Sequence, residues 1–320
     1  MAEDDDPTVQ LRPSPRPDLR PGLRPALGRR VGRRVGLLAG GCAAVALGAG
    51  GLWWLGRPAP PAMPVAAPPV AILAPPLLDA AGLLAQVPAG PMAARWAANP
   101  LVWVLIFPDL RSQGRAMNRA AALLEKARTP RDRVLDDAAL AQAILADRRT
   151  EESWYFGHNY RASELARFQA LAAQGGVALN PLELWMLEQV ARSRQVEPSR
   201  DAAFITLPAA GPQLDRATRA AILRHELGHG QFFTLPLFAA HVMRSWVEGF
   251  TEADRRDLRQ FLSAEGYDPA LEEVMANEAM AYLLYTEDRR FFDPARDLGW
   301  ADSRAERLRA LLRRGAPAEP

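Results

Sequence analysis

Arg224-His225-Glu226-Leu227-Gly228-His229 carries two of the chain's four histidines, four residues apart, with a glutamate directly after the first. On an α-helix, residues four apart stack on one face, so both imidazoles can reach one metal ion. Glu226 projects off that line and stays close enough to reach a water beside the metal. His-Glu-x-x-His is the spacing by which a helix presents two nitrogen ligands and a base to zinc. The flanking residues predict a helix over 216–230. Asp215 is an N-cap residue, no proline interrupts 216–229, and Ala217, Ala220, Ala221, Ile222 and Leu223 favour or pack a helix. Gly228 and Gly230 weaken that helix but leave room for another segment to come close to the metal.

A catalytic zinc site takes three protein ligands and keeps one position open. Downstream, Asp268 can cap and Pro269 suits a first helical position, which predicts a helix over 269–285. Its apolar side carries Leu271, Val274, Met275, Ala281 and Leu284, and Asn277-Glu278 lies within it. A carboxylate pointed inward there needs a partner. Glu278 is the candidate third ligand, with Glu272, Glu273, Glu248 and His241 as alternatives.

These two helices resemble the gluzincins, the thermolysin-like class of zinc peptidases in which a Glu on a later helix, often preceded by Asn, completes the site. The resemblance implies His225, His229 and Glu278 as zinc ligands, Glu226 as the catalytic general base, and a peptide or protein substrate. It covers two short helices, and the chain departs from the pattern twice. The gap from His229 to Glu278 is longer than in thermolysin-like enzymes, so an extra helix belongs between them. Many gluzincins also carry Asp four residues after the ligand Glu, to orient a ligand histidine; Tyr282 stands there. The metzincin pattern requires Gly at 232 and His at 235, where the chain has Phe232 and Leu235.

In such a site Glu226 takes a proton from a zinc-bound water as it attacks a carbonyl, then passes it to the leaving amine. The oxyanion needs a second stabiliser. Tyr282, one turn after Glu278, is the first candidate, followed by His241 and His158. His241 sits among apolar residues and His158 in the aromatic run 154–160, and both also read as packing residues. The β-prone segment 202–207 ends at Pro208. By the resemblance it is a candidate edge strand for an added peptide, and otherwise an ordinary core strand.

Residues 1–34 hold eight arginines and five acidic residues among many prolines, which predicts a disordered cytoplasmic tail. Residues 35–56 carry no charge and are long enough to cross a bilayer as one helix. The arginines before this span place the tail inside and the rest on the periplasmic or extracellular side of a bacterial-type inner membrane. The length of the leading tail argues for a retained anchor over a cleaved signal peptide. A basic run directly before an apolar span is explained by orientation, without a nucleic-acid partner. Gly36 and Gly40 allow a weak homodimer through the anchor. Cys42 is the only cysteine, so neither an internal disulfide nor a thiolate metal site is possible.

Residues 57–76 form a Pro/Ala-rich linker, 77–314 the globular catalytic domain, and 315–320 a second disordered tail. Outside residues 1–34 the 31 basic and 32 acidic side chains nearly cancel, which gives no reason for a polyanionic partner. Within the domain a buried strand is expected over 101–107. Helices are expected near 113–127, 136–147, 162–174, 181–193, 216–230, 251–263, 269–285 and 302–314. The expected architecture is α+β and helix-dominated, a zincin-like domain with a small sheet, preceded by one transmembrane helix. The expected function is a membrane-anchored zinc-dependent metallopeptidase. A catalytically inactive zinc-binding envelope module and a metal-free envelope scaffold are the other readings. Glu226 argues for chemistry, because a structural zinc site needs no base.

Overall fold

Leu101 to Phe107 is an unbroken apolar run, as a strand covered on both faces requires. It forms most of β3 (Asn99–Phe107), in which Trp103, Leu105 and Phe107 join one hydrophobic cluster and Val102, Val104 and Ile106 another. The computed structural model describes residues 74–211 and 214–318. The expected N-terminal tail, membrane anchor and most of the linker lie outside the described residues. Among those described, no helix is long and apolar enough to cross a membrane. The fold is α+β and helix-dominated (56% helical), with one small mixed sheet.

The sheet order is β1-β2-β3-β5-β4, from β1 (Leu77–Leu78), β2 (Met92–Trp96), β3, β4 (Asn159–Arg161) and β5 (Ala203–Pro208). The β1–β2 and β3–β5 pairs are parallel, and β2–β3 and β4–β5 are antiparallel. β5 is buried along its whole length between β3 and β4. It is therefore the core strand of the two possibilities open in sequence, and the edge belongs to the three residues of β4.

One face of the sheet packs on α2 (Leu110–Leu124), α4 (Ala162–Gln174) and α5 (Pro181–Val196), with α3 (Asp137–Ala146) beyond them. The other face packs on α1 (Ala80–Ala85) and on α6 (Arg216–Thr234), the motif helix. Asp215 caps α6 by accepting from the Thr218 amide at 2.6 Å. The helix runs to Thr234 because Pro236 forces extended backbone only at Leu235. Arg219 of α6 is buried and donates to the carbonyl oxygens of Leu83, Leu84 and Gln86 at the end of α1, and to that of Pro208 at the end of β5.

The expected extra helix after the motif is α7 (Pro236–Arg244), which passes through a π-helical turn (Ser245–Gly249) before α8 (Glu252–Ala264). Then α9 (Glu272–Tyr285) returns against α6. A Cβ on Gly228 would lie 2.2 Å from the Tyr285 ring, so glycine lets the two helices approach at the metal-site level. α9 starts three residues later than expected. Asp268 accepts from the Ala270 amide and pairs with Arg131, and Leu271 has non-helical ψ, so 269–271 form a turn. Two short helices close the fold, α10 (Pro294–Leu298) and α11 (Asp302–Arg313). Beyond Arg314, Gly315 abuts His241, Ala316 packs on the helical core, and the Ala318 carbonyl accepts from Gln231.

Candidate metal centre

Two turns of α6 and one of α9 bring His225, His229 and Glu278 together, their ligand atoms all within 4.8 Å of one another. His225 Nε2 and His229 Nε2 are 3.0 Å apart. Glu278 Oε2 lies 3.7 Å from His225 Nε2, and Oε1 lies 3.6 Å from His229 Nε2. Ligand atoms about 2.0–2.1 Å from a tetrahedral zinc are about 3.3 Å apart, so these separations fit one ion at the centre of the group. His229 and Glu278 are buried, while His225 is 14% exposed and leaves one approach from solvent.

The hydrogen bond to Thr286 fixes what the inner nitrogen of His225 offers. The Thr286 hydroxyl donates to the Ala281 carbonyl at 3.2 Å, and so it accepts at 2.8 Å from His225 Nδ1–H. That tautomer leaves His225 Nε2 as a bare lone pair. His229 Nδ1 and the Asn277 side-chain oxygen are both buried without a hydrogen-bond partner. Burial pulls the pKa of each imidazole down to about 4, which keeps both neutral at pH 7. Two neutral imidazole nitrogens and a carboxylate therefore converge on one point. Glu278 Oε2 is buried without any hydrogen-bond partner. A divalent cation satisfies all three groups, and the donor set of two imidazoles and a carboxylate suits zinc.

Thr286 thus holds the position that the resemblance assigned to an acid at 282. Outer hydrogen bonds of this kind set ligand orientation and basicity. Thr286→Val is expected to weaken zinc affinity about 10–100-fold, and Thr286→Ser to restore it, in competition titrations with a chromogenic chelator. Equal affinity in all three proteins would remove Thr286 from the site.

Glu226 follows His225 on α6 and is not among the converging ligand atoms. Its carboxyl is 4% exposed, and Asn159 Nδ2 donates to its Oε2 at 3.2 Å. Burial first, and then the Glu278 carboxylate, push its pKa well above the usual range. Gly157 fits directly against it, since a Cβ there would lie 2.0 Å from Glu226 Oε1. Gly157→Ala must displace either the carboxylate or the loop ahead of β4. On the hydrolase reading of the motif, turnover by that variant is expected to fall at least tenfold with zinc content unchanged, consistent with the sensitivity of such sites to shifts of about 1 Å. Unaltered turnover would show that the contact does not position Glu226.

The remaining sequence candidates are placed as follows. The Tyr282 ring stacks edge-on against His225, with centroids 5.0 Å apart, and packs on Phe261 and Phe292. It therefore props the first ligand, and burial with the carboxylates of Glu265, Glu278 and Glu226 keeps its hydroxyl protonated. His158 is buried between Tyr155 and Tyr160, bonded to Thr206, and kept neutral by burial, its pKa pulled to about 3. His241 bonds the Leu311 carbonyl and serves the contact between α7 and α11. Glu272 is bound by Arg259 and Trp246, and Glu273 by Arg161, so neither alternative acid reaches the imidazoles. Gly157, Asn159 and Thr286 were not legible as site residues, because contacts distant in sequence bring them there.

Models of known protein families, curated proteins and solved structures contain no match to this chain. The functional reading therefore rests on the residues themselves.

Proposed function

We propose that the chain is a zinc-dependent metallopeptidase of the gluzincin type, held at a membrane by residues 35–56. The observation that carries this reading is the convergence of two neutral imidazole Nε2 atoms and the Glu278 carboxylate beside a second buried carboxylate, Glu226. A site built only to hold a structural ion has no use for that second acid. Zinc, when bound, supplies Lewis acidity to a substrate carbonyl and to water.

The rest of the work belongs to the chain's own groups. Glu226 accepts a proton from the attacking water and delivers it to the leaving amine. Asn159 holds Glu226 by one oxygen, which leaves the other for that proton. Thr286 fixes the His225 tautomer, and Tyr282 keeps the His225 ring in place. β4 is an edge strand whose Asn159 touches the base, so an extended peptide added along its free side would run past the centre. The basic residues ahead of the apolar span support a periplasmic or extracellular location for this domain.

The test is hydrolysis of an unbiased peptide mixture by the purified full-length chain, read by mass spectrometry. Cleavage that a chelator stops and added zinc restores would support the reading. A protein that holds zinc and cleaves nothing would be the inactive binding module, and one that holds no zinc would be the metal-free scaffold.

A further inference from the structure

Helix α7 and the π-helical turn after it take no part in the metal centre, yet they are apolar on both their inner and outer sides. Phe238, Val242 and Trp246, spaced four apart, are buried against the helical core. On the opposite side Leu237 is 88% exposed and Val247 60% exposed, with Ala240 on the same outer face. A helix with apolar residues on both sides is ordinarily covered on both. The described domain covers only one. The outer face is also firmly held. Arg255 donates to the carbonyl oxygens of Trp246, Val247 and Phe250 at 2.8, 3.0 and 2.7 Å, which satisfies the end of the π-turn that carries Val247.

Charge narrows what the cover is. From Leu227 to Val247 the chain has no acid. Arg244 stands on the exposed face between Leu237 and Val247, with no acid partner among the described residues. Arg314, exposed after α11, brings a second cation to the rim, since Gly315 beside it abuts the His241 ring. Glu248 is the acid that closes the patch. Apolar side chains framed by arginines suit the headgroup layer of an anionic bilayer. A symmetric contact between two copies would instead bring their unpaired arginines together.

The sequence puts a bilayer within reach. Residues 57–73 separate the uncharged span 35–56 from the described chain and can extend at most about 60 Å. The described chain then enters near α7. β1 pairs with the end of β2 at Trp96, Trp96 pairs with Asn99, and Asn99 donates to Thr234 Oγ1 at 2.7 Å, just ahead of α7. Two strand spacings, about 10 Å, and one side-chain contact thus lie between β1 and the start of α7.

We propose that the outer face of α7 and its π-turn rests on the anionic surface of the membrane, with Leu237 and Val247 as apolar contacts and Arg244 as the headgroup contact. This rests on the anchor in the reading above and not on the peptidase chemistry.

The test uses the full-length chain reconstituted into vesicles of phosphatidylcholine, with or without phosphatidylglycerol. In a Cys42→Ala background, a polarity-sensitive fluorophore is placed on Leu237→Cys, on Val247→Cys, or on Leu145→Cys of α3 as a control. All three positions are exposed, so the substitutions spare the core. At 237 and 247 the emission is expected to shift to the blue and to be quenched by lipids brominated on their acyl chains, and at 145 to do neither. Omitting phosphatidylglycerol, or adding Arg244→Glu, is expected to reduce the shift. Labels at 237 and 247 that remain in water on both kinds of vesicle would overturn the docking face. A blue shift without quenching by brominated lipid would mean that a second copy covers the face, and the membrane proposal would fail. Flotation with the vesicles at alkaline pH reads the anchor separately. A chain stripped off there would end the anchor reading, while the labels on anionic vesicles in neutral buffer would still decide the face.

Discussion

The His225→Ala, His229→Ala double variant is expected to purify with less than about 0.1 zinc per chain, against about one in the unaltered protein. Elemental analysis after dialysis reads this directly. The loss is large because the two rings are adjacent donors on one helix face, 3.0 Å apart, and Glu278 alone cannot hold the ion. Stability should follow. An ion present at about a thousand times its Kd stabilises the folded state by about 4 kcal/mol. For a domain of this size each kcal/mol moves Tm by about 2–4 °C, so a strong chelator should lower the Tm of the unaltered protein by about 10 °C. The double variant should not respond to chelator. Zinc content unchanged by the two substitutions would sink the metal centre.

Glu226→Gln is expected to keep its zinc and lose hydrolysis, with kcat down about 10²–10⁴-fold and KM little changed. The amide occupies the same volume, and its carbonyl oxygen can still accept from Asn159. It cannot take a proton from water. Because Glu226 is not one of the three converging ligands, metal content and Tm should match the unaltered protein. A Glu226→Gln protein that turned over substrate at the unaltered rate would refute its role as base. One that lost its metal would place Glu226 among the ligands.

The elements legible in the sequence were those with strong local signals. The apolar run of β3, the Asp215 cap of α6 and the Asn180-Pro181 start of α5 state their structure within a few residues. β4 was not legible because three residues, Asn159–Arg161, carry no measurable alternation, and pairing with β5 makes them a strand. α1, β2, α7 and α10 are also short, and tertiary contacts decide them. In the site, the spacing within α6 exposed His225, Glu226 and His229, and the Asn277-Glu278 pair suggested the third ligand. The supporting shell was hidden for a different reason. Thr286 lies just past the end of α9, where a helix ends and a hydroxyl is free to turn back to Ala281 and reach His225. Gly157 contributes no side chain, and its part is to leave space that only the folded loop defines.

Arg219 ties the start of the described chain to the helix that carries both histidines. Among the described residues its guanidinium has no acid partner and relies on carbonyl oxygens from residues 83, 84, 86 and 208. A protein trimmed to begin after Gln86 would lose three of those four carbonyl partners and the helix that covers the guanidinium. The placement of the motif helix and the integrity of the amino-terminal segment are one problem, joined at a single side chain.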